Sequence, residues 1–128
     1  AQFQAATQLE MVSAPPQTVQ EAYLAAYAAR PQRAEPLCML ARYYRERNDF
    51  ALAALFALQA SRIPMSADIL FVDTEVYRWR ALDELAVSAY YTPHRAQGRE
   101  ALLQLLAEQQ FPAYERQRIE ANQQFYGI

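Results

Sequence analysis

From Glu35 to Pro64 the sequence carries two apolar stripes at helical spacing with one short polar break between them. Pro36 suits a first helical turn, where its missing N–H has no partner to lose, and Leu37, Leu40, Ala41 and Tyr44 continue the stripe. At Asn48 and Asp49 the stripe stops. Asparagine tolerates the left-handed backbone that otherwise calls for glycine, so a tight turn is expected there. A second helix is expected from about Phe50, carrying Ala53, Phe56, Ala57 and Ala60 and stopping before Pro64. The alanines let the first helix approach closely. Tyr44 belongs to the packing stripe, with the charges grouped around the turn.

A helix pair of this size buries its apolar face only by stacking on another pair. The pattern does recur. A shift of 45 residues lays Leu37 on Leu82, Leu40 on Leu85, Ala41 on Ala86, Tyr44 on Ala89, Ala53 on Gly98 and Ala57 on Leu102, with "TPHRA" as the turn. A shift of 34 towards the N-terminus lays Phe3 on Leu37, Ala6 on Leu40, Val19 on Ala53, Tyr23 on Ala57 and Ala26 on Ala60, with "SAPPQ" as the turn.

The extra residues before the third copy lie in "PMSADILFVDTEVYRWRALDEL". Asp73 or Thr74 can cap a helix running to about Tyr91. "ILFV", Ile69 to Val72, reads as an extended segment under the hairpins, with no partner strand to make a sheet. A last helix is expected from Pro112, with Ile119, Asn122 and Phe125 at three-residue steps, covering the end of the stack. Two glycines in 128 residues leave few of the turns a many-stranded sheet needs. The expectation is one all-α domain over 1–128. It is a right-handed stack of antiparallel helix hairpins with an irregular linker before the third hairpin and a C-terminal capping helix.

The order from Leu37 to Pro64 resembles the tetratricopeptide repeat: a large residue, leucine, small residue and tyrosine, then alanine, aromatic, alanine and proline. The third copy departs by its longer spacing and by Ala89 and Gly98. "YLAAYAARPQRAEPLCMLARYYRERNDFALAALFA", "IPMSADILFVDTEVYRWRALDELAVSAYY" and "RIEANQQF" together resemble the helical repeat region that follows the catalytic domain of some bacterial glycosyltransferases. That resemblance runs from about Thr18 to Phe125. It implies an appended module, with the nucleotide-sugar site in a separate domain that nothing in this chain matches. "TPHRAQG" departs from the glycine and aromatic expected at that turn. The chain begins without methionine and reads as a segment of a longer protein.

All twelve basic side chains are arginine, against fourteen Asp and Glu, a formal net charge of -2. Nucleic acid is therefore disfavoured as a partner, for want of an overall cationic field. No apolar run approaches the ~20 residues that span a bilayer, and the start has neither the basic nor the apolar region of a signal peptide. The lone Cys38 cannot form an internal disulfide and suits a reducing, cytoplasmic setting.

No cluster forms a complete catalytic, cofactor or metal site. His94 and Cys38 are too few to ligate a metal without added carboxylates. Cys38 has no visible base beside it and reads as a structural thiol. Asp83 and Glu84, adjacent on a helix, project about 100 degrees apart, poor geometry for a paired acid and base. Glu84 is expected to pair with Arg80, and Arg42 with Glu46, as i,i+4 ion pairs. Trp79 between Arg78 and Arg80 has the makings of a sugar- or base-stacking group, but it lies three residues before Leu82 on the packing stripe and reads first as core.

In a stack of hairpins the first helices line the concave side. The residues there that do not pack are Gln4, Gln8, Cys38, Arg42, Arg45, Asp83, Val87, Tyr90 and Tyr91. Arginine and tyrosine are enriched among interface hot spots, so this face suits an extended peptide or a partner's helix. The leading expectation is a non-enzymatic module that contacts a protein partner or the catalytic domain of its own longer chain. Carbohydrate binding through Trp79, Tyr90, Tyr91 and nearby arginines is the alternative. RNA binding through Arg42, Arg45, Arg78 and Arg80 is the weaker one.

Overall fold

The computed structural model describes residues 2–65 and 73–128, and within them the chain is all-helical with no strand. α1 (Gln2–Met11) and α2 (Pro16–Ala29) are followed by α3 (Glu35–Glu46) and α4 (Phe50–Ser61), with the bounds the apolar stripes predict. The next helical run covers 74–91: a π-helical turn at Val76–Arg80, α5 (Ala81–Ser88) and a 3-10 turn at Ala89–Tyr91. α6 (Arg95–Glu108), a 3-10 turn at Ala113–Glu115, α7 (Arg116–Ala121) and α8 (Gln123–Tyr126) complete the chain. The extended segment expected at Ile69–Val72 lies outside the described residues.

Each of α1 to α6 packs on the next, and α3 also packs on α5. The α3–α4 turn is built as the sequence predicts. Asn48 takes a left-handed φ of 60°, and the Asp49 carboxylate accepts from the Leu52 N–H at 3.3 Å, satisfying one donor that the helix start would otherwise leave open. Between these helices Tyr44 stacks on Phe56 with ring centroids 6.0 Å apart, and Leu40, Ala41, Ala53 and Ala57 are fully buried. The first hairpin contributes Ala6, Val19 and Tyr23 to the same core. Phe3, aligned with a core leucine by the repeat, is 36% exposed and meets Tyr23 edge-on instead.

Asp73 starts the third hairpin as expected, its carboxylate accepting from the Glu75 N–H at 3.1 Å. The start is tied to α3 by Glu35, which accepts from the Asp73 N–H at 3.1 Å and from the Tyr77 hydroxyl. At Gly98 the absent side chain has a structural reason. A Cβ there would lie 2.8 Å from the Ala89 Cβ and would collide with the Tyr126 hydroxyl oxygen, so only glycine lets α6 meet the Ala89–Tyr91 turn and the C-terminal segment.

The C-terminal helix is not the single rod expected from Pro112. It is broken into the 3-10 turn, α7 and α8, and its buried residue is Ile119. Phe125, expected on the packing stripe, is 45% exposed, and the half-buried Tyr126 takes its place against the core. The Tyr126 hydroxyl donates to the Ala86 carbonyl at 2.5 Å, a bond that Phe125 could not make.

Candidate functional site

α3, α5 and α7 carry their charged residues towards one another, and the helical spacing decides which ones meet. Arg42 and Arg45 lie one turn apart on α3. Asp83 and Glu84 stand on α5, and Glu115 and Arg118 lead into and along α7. Arg45 pairs with Glu84 through two bonds, at 2.6 and 3.1 Å, and Arg118 holds both oxygens of Asp83 at 2.8 and 3.1 Å. Such two-pronged pairs are the stronger, geometrically specific form of ion pair. Arg118 also reaches Glu115 at 3.2 Å. Arg42 makes its expected pair with Glu46 at 2.7 Å and a second with Glu10 of α1 at 2.6 Å.

Arg42, Arg45, Asp83, Glu84, Glu115 and Arg118 line an open groove of about 450 Å³, with Trp79, Arg80, Val87, Tyr114 and Asn122 completing its walls. Val87 and Asn122 are shared with a smaller aromatic cleft of about 180 Å³ formed by Tyr90, Tyr91, Phe125 and Tyr126. In the cleft Tyr90 meets Tyr91, Phe125 and Tyr126 edge-on, with centroids 5.1 to 5.6 Å apart, and Tyr91 stacks on Phe50 at 4.6 Å.

Electrostatically the carboxylates of the groove are all paired. Burial pushes Asp83 and Glu84 above the usual carboxylate range, while the guanidiniums of Arg118 and Arg45 act in the opposite sense. Each carboxylate is engaged by a permanent cation, which leaves neither placed as a proton donor or acceptor for a substrate. Among the described residues no group of three or more His, Cys, Asp or Glu converges to hold a metal.

The expected concave residues divide into three groups. Arg42, Arg45, Asp83 and Val87 come together in the groove, and Tyr90 and Tyr91 in the adjoining cleft. Gln4 and Gln8 are exposed on α1 and line neither. Cys38 is corrected as a member of the concave set: it is buried, in keeping with its reading as a structural thiol, where the 74–91 run closes over α3, and burial pushes its thiol far above the usual range.

The expected Arg80–Glu84 pair is also corrected. Glu84 turns to Arg45 across the helix interface, and Arg80 is exposed, over the Trp79 ring at 5.5 Å, without an ion pair among the described residues. Trp79 is core, 5% exposed, with its indole N–H donating to Glu75. Arg78 lines a different surface, near Arg62 and Gln110. Arg78, Trp79 and Arg80 therefore do not assemble into one stacking site. Sequence reasoning passed over Glu115, Arg118 and Tyr126 as groove and cleft residues. The signal was present in the three- and four-residue steps from Glu115 through Arg118 and Asn122 to Tyr126, a stripe that shares Asn122 with the apolar one.

Compared with protein-family models, curated proteins and solved structures, the chain matches none. No helix among the described residues is long and apolar enough to cross a membrane.

Proposed function

We propose that the chain is a non-catalytic helical-repeat module that binds a protein partner through the groove between α3, α5 and α7. The observation that carries this reading is the groove's construction. Three elements distant in sequence bring arginines, carboxylates and aromatic rings to one open surface, in which every carboxylate is already neutralised and no reactive group is left poised. Arginine and tyrosine at such a surface are the residue types that dominate interface energetics. The repeated hairpin, with each helix packed on the next, supports a tetratricopeptide-like right-handed stack. The sequence resemblance supports a place beside a nucleotide-sugar-handling domain in a longer bacterial protein, and the lone buried thiol supports a cytoplasmic one.

Direct carbohydrate stacking has less to stand on, since the one tryptophan is covered and hydrogen-bonded. RNA binding loses Arg78 from its proposed set. Selection of random displayed peptides on the full chain tests the reading. Peptides are expected to be enriched and to lose binding to Val87→Trp, which fills the groove. Peptides that bind that variant unchanged, or transfer or hydrolysis of a sugar nucleotide by the purified chain, would refute it.

A further inference from the structure

Two ion pairs in the groove share one asymmetry. Glu84 and Asp83 each keep 13% of their side chains exposed, whereas their partners Arg45 and Arg118 keep 33% and 42%. These two carboxylates form the floor and their guanidiniums the rim. Arg80 adds a third rim guanidinium with no carboxylate of its own among the described residues. A guanidinium carries five N–H donors; Arg45 spends two on Glu84 and Arg80 none on a carboxylate among the described residues, so the rim retains donors for a second acceptor.

Where the groove passes into the cleft, the lining changes from charged to apolar at Val87, and the Asn122 side-chain nitrogen is buried there without an acceptor among the described residues. A buried amide donor left unpaired is costly, and a ligand carbonyl would satisfy it. In the cleft the Arg95 guanidinium covers Tyr90 at 4.2 Å, and the neighbouring rings stand edge-on to Tyr90. That leaves no pair of parallel faces to hold a nucleobase, but it suits an aliphatic side chain.

We propose that groove and cleft together bind a short extended segment of a protein partner carrying carboxylates beside an aliphatic residue. The carboxylates sit on the rim at Arg45, Arg80 and Arg118, the aliphatic side chain enters the cleft beside Tyr90, and a peptide carbonyl accepts from Asn122 between them. This rests on the peptide-binding reading above and narrows it to one chemistry. The net charge of -2 does not oppose it, because charges beyond about 8 Å are screened at physiological salt and the rim acts within that distance.

Fluorescence anisotropy on the full chain tests it with four labelled probes: a synthetic peptide of aspartates and glutamates next to leucine, the same peptide with lysine for the acids, the same with serine for leucine, and a single-stranded oligouridylate RNA. The acidic leucine peptide is expected to bind at least about tenfold tighter than the other three. Arg80→Glu should weaken it by about tenfold or more, and Asn122→Ala by a few fold. Arg80 is exposed and unpaired, so its variant keeps the fold, which circular dichroism verifies. Absent binding of the acidic leucine peptide, equal binding of the lysine peptide, or an unchanged affinity in Arg80→Glu overturns the proposal. In each of those cases the broader reading survives if display-selected peptides still fail on Val87→Trp. Tighter binding of the RNA than of any peptide overturns both.

Discussion

Replacing Gly98 with alanine sets two effects of known size against each other. In an ordinary exposed helix the change stabilises by about 1 kcal/mol, because glycine has more backbone freedom to lose. Here the new methyl lies 2.8 Å from the Ala89 Cβ and overlaps the Tyr126 hydroxyl oxygen. Carbon atoms rest at about 3.5–4.0 Å, so α6 must retreat by roughly an ångström, and overpacking of this kind costs about 1–3 kcal/mol. Tyr126 also loses its 2.5 Å bond to the Ala86 carbonyl, about 1 kcal/mol more. The net expectation is destabilisation of about 1–3 kcal/mol, read as a lower urea midpoint at unchanged slope. In a Tyr126→Ala background part of the clash is gone, so Gly98→Ala should cost less there, with coupling of about 1 kcal/mol. A stabilised Gly98→Ala, or strict additivity of the two changes, would refute the close approach.

Arg118→Ala leaves the seated Asp83 carboxylate without its main cation, and the half-exposed arginine limits the loss to about 1–2 kcal/mol. Asp83→Asn in that background should recover part of it in chemical denaturation. Burial and acceptor carboxylates raise the phenols of Tyr23 and Tyr77 from 10.0 to about 12, and burial raises that of Tyr126 likewise. The unfolded chain loses these protons first, so their contribution to stability is complete below pH 10 and is lost as pH rises towards 12. A urea midpoint that stays flat over that range would contradict this. Cys38, buried with its thiol held protonated, should react with a thiol reagent only as the chain unfolds. Rapid labelling in native buffer would place it at the surface after all.

What could be read ahead of the structure was whatever depends on near neighbours in sequence. Leu37, Leu40 and Tyr44 share a helix face by spacing alone, and Asn48 declares its turn through its own backbone preference, so α3, α4 and the turn between them were legible. The groove was not, because its defining contacts join Arg45 to Glu84 and Arg118 to Asp83, 39 and 35 positions apart. An i,i+4 rule correctly paired Arg42 with Glu46 and wrongly paired Arg80 with Glu84, since a buried carboxylate takes the cation across the interface over one that stays in water. Cys38 was misplaced for a related reason: its exposure depended on which later segment would cover α3.

The wide turn at Val76–Arg80 has a consequence for the length of this chain. A π-turn holds one more residue than an α-turn of equal height, and each residue in a helix advances the azimuth by about 100°. Deleting a single position between Val76 and Arg80 would let the turn relax to α geometry with the downstream faces still in phase. Deleting Ala81 or Leu82 instead would swing Leu85 outward and carry the acidic pair of the groove out of reach of both its arginines. The π-turn is thus a place inside a helical run where the molecule can lose a residue without losing its register, and it lies just upstream of the surface assigned to recognition.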